Sequence, residues 1–171
     1  MILLTSKVTS KLKRSEIISI LKLKNQEWNY GLISQKNWFK QNIKSKDIHV
    51  LFFLNNKIAG YTCLRKRTYR ISKKNYRYLL FDTLIIEKKL RSSGFGKLLM
   101  IFNNNIIKNN NLPSFLVCRK KTIKFYKSNY WKHLNNKYFK IIDNKYPNQY
   151  SMIYNEQKFV KLNKLLLWVK K

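Results

Sequence analysis

The spacing of apolar and polar positions changes several times along the chain, and each change marks an element. Residues 2–9 read as a first strand. Serines between Ser10 and Ser15 offer N-caps for a helix in which Ile17, Ile18, Leu21 and Leu23 fall near helical spacing. A second helix is expected after Ser34, turning Trp38 and Ile43 inward. The run His49-Val50-Leu51-Phe52-Phe53-Leu54 is a continuous apolar strand. Asn55-Asn56-Lys57 is a turn, and Ile58 to Leu64 is the partner strand of a hairpin. The polar stretch from Arg65 to Arg77 reads as a long, basic, solvated connection. Tyr78 to Ile86 is a further apolar strand, broken by Asp82 and Thr83.

A helix is expected to begin around Ser93 to Gly96, with Leu98, Leu99, Ile101, Phe102, Ile106 and Ile107 as its buried stripe. Asn109-Asn110-Asn111 ends it. Pro113 precedes a short strand, Ser114 to Cys118, and a brief helix follows through Thr122 to Ser128. Two more strands near residues 136–142 and 149–154 and a terminal helix from about Gln157 complete the series. This order predicts a mixed α/β architecture around a central sheet.

Composition adds size and an anomaly. The chain has 171 residues, 44% of them hydrophobic and 15% aromatic, enough apolar material for one sizeable core. Its 37 Lys and Arg against 7 Asp and Glu leave a formal net charge of +30. Such a balance points to an anionic partner. Yet 30 of the basic residues are Lys and only 7 are Arg, beside 20 Asn and 18 Ile. Lys, Asn and Ile share AT-rich codons, and Arg, the residue preferred for bidentate phosphate contacts, is not enriched. Codon bias therefore accounts for most of the charge. Cys63 and Cys118 lie far apart, His49 and His133 are isolated, and neither a disulfide framework nor a zinc pattern emerges. The first residues are too short for a signal-peptide core and no apolar run reaches the length of a membrane span. The expectation is a cytoplasmic, metal-free protein.

The chemistry gathers where the strand ending at Ile86 passes through Glu87 to Leu90 into Arg91-Ser92-Ser93-Gly94-Phe95-Gly96-Lys97 and opens a helix. Glycines let the backbone approach a ligand closely, and the free amides and dipole of a first helical turn hold a pyrophosphate. The spacing is neither a dinucleotide-binding fingerprint nor a P-loop; the unremarkable alternative is a glycine-containing loop without function. Asp82, mid-strand, is expected on the same face as Leu84 and Ile86, two and four residues on. It is either a general base or a buried carboxylate paired with a Lys or Arg.

Leu84, Ile86-x-x-x-x-Arg91-x-x-Gly94-x-Gly96 and the following Lys97-Leu98-Leu99-Met100 resemble the acyl-CoA signature of the GNAT superfamily of N-acetyltransferases. Phe125-Tyr126-Lys127-Ser128-Asn129-Tyr130-Trp131 is similar to that family's Phe-Tyr-x-x-x-Gly-Phe/Trp segment, with Asn129 taken as the replacement for Gly. Ile58-Ala59-Gly60-Tyr61 also fits a third-strand pattern of the family. The resemblance covers about residues 10–155 and leaves 156–171 as a basic amphipathic C-terminal helix on a single domain. It implies the GNAT fold: a mostly antiparallel twisted sheet of six to seven strands with about four helices, strands four and five splayed at the CoA site. It implies that amides of Arg91, Ser92, Ser93, Gly94, Phe95, Gly96 and Lys97 bind the pyrophosphate of acetyl-CoA. Main-chain groups of Leu84, Ile85 and Ile86 run beside the pantetheine arm, and Tyr126 protonates the leaving thiolate. The plain alternative for Tyr126 is a core tyrosine over the sheet.

The implied reaction moves an acetyl group from acetyl-CoA to a primary amine of a small molecule, such as an amino sugar, in a monomer or homodimer. The basic charge keeps two alternatives open: acetylation of aminoacyl-tRNA, or a non-catalytic nucleic-acid-binding module on the same fold. Like-charge repulsion disfavours a strongly cationic acceptor.

Overall fold

The computed structural model describes residues 1–71, 73–134 and 150–158. Its elements follow the predicted order: β1 (Ile2–Val8), α1 (Arg14–Glu27), α2 (Leu32–Asn42), β2 (Ile48–Leu54), β3 (Lys57–Ile71), β4 (Lys74–Ile86), α3 (Phe95–Asn109), β5 (Ser114–Cys118), α4 (Ile123–Ser128), β6 (Lys132–Leu134) and β7 (Tyr150–Tyr154). The strands form one sheet in the order β1-β2-β3-β4-β5-β7-β6, with β4 and β5 parallel. Every other recorded pairing is antiparallel. The expected strand over 136–142 and the terminal helix beyond Lys158 lie outside the described residues. The chain divides into two compact units, residues 1–65 with 82–103, and residues 66–81 with 104–171.

In the first unit β1 pairs with β2 from Ile2↔Leu54 to Val8↔Ile48, and β2 turns into β3. Asn55 and Asn56 make that turn at φ 48° and 63°, the left-handed pair a two-residue hairpin requires. A register shift between Phe52 and Phe53 brings Gly60 opposite Phe52. A Cβ on Gly60 would lie 2.7 Å from Ile86 Cδ1 and 3.0 Å from Phe52 Cδ1, so any larger residue forces those side chains to shift. One face of these strands packs Leu51, Tyr61, Cys63 and Ile85 against Ile20 and Leu23 of α1. The opposite face carries Phe52 against Phe95, with ring centroids 4.8 Å apart, and Thr62, whose hydroxyl donates to Asn103 Oδ1 at 2.9 Å.

Helix α1 starts at Arg14 behind Lys13, whose amide donates to Glu16 Oε2 at 2.8 Å. A returning carboxylate, rather than one of the expected serines, caps it. Its buried stripe is Glu16, Ile20, Leu21, Leu23 and Lys24, while Ile18 is 44% exposed. The stripe is shifted from the predicted one because it includes two charged residues that pattern reading assigns to solvent. In α2, Gln35 and Phe39 are buried, and the expected inward residues Trp38 and Ile43 are half-buried.

The second unit corrects the largest misreading. Arg65 to Arg77 is no solvated connection: β3 continues to Ile71 and β4 begins at Lys74. The extension is held by aromatics spaced among the basic residues. Tyr69 stacks on Tyr76 at 5.4 Å and meets Tyr78 edge-on at 6.0 Å. Tyr69, Tyr78, Leu80, Phe115 and Ile153 form a core. Beside it β5 pairs with β4 at Leu79↔Ser114 and Leu80↔Phe115 and with β7 from Ser114↔Tyr154 to Cys118↔Tyr150. Along α3, which spans both units, the buried residues are Leu99, Met100, Asn103, Asn104 and Ile107; Ile101, expected inside, is 47% exposed. Two asparagines take the inward places because each is satisfied by hydrogen bonds, Asn103 to Thr62 and Asn104 to Trp131.

Candidate active site

In the first unit β4 ends at Ile86, a 3-10 turn covers Lys88–Leu90, and the chain reaches α3 through Arg91 to Gly94. Ser92 at φ 66° and Gly94 at φ 82° fold this loop. The Leu98 amide donates to Gly94 O at 3.1 Å as the first bond of α3. The amides of Phe95, Gly96 and Lys97 therefore have no carbonyl within the helix. Ser92, Ser93, Gly94 and Lys97 are exposed, and a Cβ placed on Gly94 would meet nothing within 4 Å. The result is an open nest of amides at a helix N-terminus, suited to a phosphate. The Arg91 side chain braces the loop from behind, its Nε donating to Ile86 O at 3.1 Å and its guanidinium pairing with Glu27 of α1.

Upstream, Thr83 sits at φ 65°, a left-handed conformation that costs a β-branched residue about 1–2 kcal/mol. It breaks the alternation of β4 and corrects the expected placement of Asp82. Asp82 pairs with Arg65 NH1 at 2.9 Å, and Ile85 packs with Tyr61 and Cys63, which share Arg65's side of β3. Ile86 lies on the other side, against Gly60 and Phe52. Asp82 thus shares a face with Ile85, not with Ile86. The structure assigns it the ion pair, and leaves Oδ1 with only a 3.4 Å contact from the Thr83 hydroxyl.

Around that pair stand residues whose role the sequence did not reveal. Lys24 is 4% exposed, and its Nζ lies 3.5 Å from the centroid of the Trp38 ring. Burial draws its pKa below the usual lysine value, with Asp82 opposing and Arg65 reinforcing the effect. Arg65 Cζ lies 5.5 Å from the same ring. The available signals were the i, i+4 spacing of Lys24 from Ile20 and the i, i+2 spacing of Arg65 from Cys63.

His49, at the start of β2, is structural. It is fully buried, stacks between Phe39 and Tyr61, and lies 2.8 Å from both the Thr9 and Tyr61 hydroxyls. Thr9 donates its proton to Lys44 O, so it receives the His49 Nε2 proton, and Tyr61 donates to Nδ1. Burial lowers the His49 pKa to about 4.

In the second unit α4 carries Tyr126, half-buried, in edge contact with Phe125, Trp131 and Phe81. No described residue hydrogen-bonds its hydroxyl. Burial pushes its pKa above the usual phenol value, with Cys118 adding to the effect, so it is protonated at every working pH. The segment after it differs from the expected turn. Asn129 has φ −106°, and the left-handed residue is Tyr130, at φ 68° and 80% exposed. Tyr130 therefore occupies the place of the motif's glycine. The Asn129 side chain instead donates to Phe125 O at 2.7 Å, and its main-chain carbonyl accepts from Asn104, whose Oδ1 in turn accepts the Trp131 indole proton at 3.0 Å.

Among the described residues no helix is long and apolar enough to cross a membrane, and no cluster of three His, Cys, Asp or Glu is placed to hold a metal. Cys63 and Cys118 are free thiols, both buried.

No protein-family model matches the chain. No curated protein sequence matches it either. Solved structures do. An acyl-CoA N-acyltransferase from Pseudomonas aeruginosa superposes with a TM-score of 0.67 at 14% identity over 90% of this chain and 99% of that one. Escherichia coli ElaA gives 0.65 at 16% identity over 90% and 99%. The GNAT family N-acetyltransferase YhbS from Escherichia coli, solved in complex with CoA, gives 0.70 at 8% identity over 99% and 89%. At these identities the likeness is one of fold, and the chain has the GNAT fold.

Proposed function

We propose that the protein is an acetyl-CoA-dependent N-acetyltransferase acting on a primary amine of a small molecule, an amino sugar or similar acceptor. The observation that carries this reading is the open amide nest of residues 92–97 at the start of α3, on a fold whose neighbour YhbS was solved with CoA. The amides of Ser92 to Lys97 hold the pyrophosphate, while the expected Arg91 amide is engaged by Lys88 O at 3.3 Å; the main chain of Leu84 to Ile86 runs beside the pantetheine arm as an added strand would.

The acceptor arrives as an ammonium ion. Asp82, through Oδ1 or a water, takes one proton, the amine nitrogen attacks the thioester carbon, and the second surplus proton on that nitrogen then passes to solvent. The carbonyl oxygen gathers charge, then the carbon–sulfur bond breaks with its electron pair on sulfur. Tyr126 gives its phenolic proton to that thiolate and recovers one from solvent. The products are the N-acetyl amine and CoA thiol, with one proton released. A neutral phenol with an unengaged hydroxyl suits this donor role, and the ring contacts hold it in place.

Calorimetric titration with acetyl-CoA tests the reading first. Saturable binding with a raised melting temperature is expected, since a ligand of the native state stabilises it. Thiol release from acetyl-CoA across an amine panel then tests the reaction. Absence of acetyl-CoA binding would overturn the proposal.

A further inference from the structure

The buried basic cluster on the α1 face of the first unit is larger than an ion pair needs. Asp82 requires one cation and has it in Arg65 NH1. Yet Lys24, at 4% exposure, is held in the same cluster and makes no ion pair with any described carboxylate. Arg65 is 3% exposed, and its Nε is buried without a hydrogen-bond partner. A buried cationic donor left unpaired is costly, and a native fold keeps one where something else supplies the acceptor. Both cations lie on the ring of Trp38, at 3.5 Å for Lys24 Nζ and 5.5 Å for Arg65 Cζ, and of the two side chains the unsatisfied donor is Arg65 Nε. Lys24, Arg65 and Asp82 together carry a net positive charge, and the partly exposed Trp38 and Asp82 mark the cluster's side toward solvent.

We propose that Lys24 and Arg65, over the ring of Trp38, form a subsite for an anionic group on the acceptor, so that the acceptor is an amine bearing a carboxylate or phosphate. The anion accepts hydrogen bonds from Arg65 Nε and Lys24 Nζ, charge-assisted contacts of the strong kind. The ammonium of the same molecule meets Asp82 Oδ1, the oxygen the Arg65 pair leaves free. A zwitterionic acceptor satisfies the cluster, whereas a polycationic one meets two buried positive charges. Burial lowers the pKa of Lys24 and Asp82 opposes that shift; an anion at Nζ acts in the same direction as Asp82. Lys24 and Trp38 bind and position; neither touches the reacting atoms.

This inference rests on the acetyl-transfer reading, and its test separates the two. With acetyl-CoA saturating, initial rates are measured on three matched sets: α-amino acids, their α-amino amides, and aminoalkyl phosphates. Wild type is expected to favour at least one anionic set over the amides by tenfold or more in kcat/KM; which set is preferred distinguishes carboxylate from phosphate. In Lys24→Met that preference should shrink by roughly tenfold to a hundredfold, through KM for the anionic set. Arg65→Lys, which keeps a cation for Asp82, should shrink it as well. A binding arm needs no turnover: millimolar inorganic phosphate or acetate should raise the melting temperature of wild type more than that of Lys24→Met. Equal preference in wild type and Lys24→Met, or faster reaction of the amides, overturns the subsite while leaving acetyl transfer standing. Failure of acetyl-CoA to bind overturns the activity itself.

Discussion

At the scale of single residues, the acid assigned to Tyr126 is the most directly testable role. Phenylalanine keeps the ring against Trp131 and Phe125 but removes the proton. Tyr126→Phe should bind acetyl-CoA and melt as wild type does, while turnover falls by roughly 10²–10⁴, the range of one general acid. Wild-type turnover would make Tyr126 a core residue. His49 sets a different expectation. Its pKa drops from 6.5 to about 4 on folding, so between those values the unfolded chain binds the extra proton. Stability is whole above about pH 6.5 and is lost as pH falls toward 4, by about 3 kcal/mol in all. Denaturant melts across that window should show the slope, and His49→Gln should flatten it. Residue type announced Tyr126, Gly94 and Asp82, because their chemistry is local. It gave no sign of Thr83 or Tyr130 at positive φ, since neither favours that conformation and only the surrounding fold imposes it. Nor did it reveal that Lys24 and Arg65 turn inward, because burial of a charge depends on a partner distant in sequence.

At the scale of elements, periodicity located every described strand and helix up to α4, and it failed where an element's face is not apolar. The arms of β3 and β4 beyond Arg65 alternate aromatics with Arg and Lys, so their inward residues were hidden in a basic run. Helix α1 was found, but its inward stripe was not, because Glu16 and Lys24 occupy two of its positions. Two glycines carry contrasting expectations. Gly60 is a packing requirement: Gly60→Ala drives a methyl into Ile86 and Phe52 and should lower stability by about 1–3 kcal/mol, read by chemical denaturation. The free structure has open space around Gly94, so bulk there costs through φ alone; its larger effect falls on the ligand. Replacing Gly94 and Gly96 together by valine should abolish measurable acetyl-CoA binding in calorimetry, because the backbone can no longer reach the pyrophosphate. Unchanged affinity in that double variant would remove residues 92–97 from the site.

At the scale of the whole molecule, the net charge of +30 must either serve an anionic partner or be tolerated. The structure shows how the scarce carboxylates are used. Glu16 pairs with Lys7, Glu27 with Arg91, Asp82 with Arg65, Glu87 with Lys89 and Glu156 with Lys132. Basic side chains far outnumber carboxylates in the sequence, and their mutual repulsion opposes the compact state. Added salt shortens the reach of that repulsion to about 10 Å at 0.1 M and about 3 Å at 1 M, so it should relieve more than it takes from exposed ion pairs. The melting temperature should therefore rise between 20 mM and 500 mM sodium chloride. The same titration probes the nucleic-acid reading. Lysine-dominated charge without arginine enrichment supports contacts to phosphate rather than to bases. Binding to RNA or DNA should be measurable at 20 mM salt, insensitive to sequence, and lost steeply toward physiological salt, where non-specific complexes have dissociation constants of about 10⁻⁴–10⁻⁶ M. A melting temperature that rises while nucleic-acid affinity collapses identifies the charge as a burden the fold tolerates. Tight, saturable binding of one RNA species at 150 mM salt would instead make the charge an interface, and would move the acceptor from a small amine to an aminoacyl-tRNA.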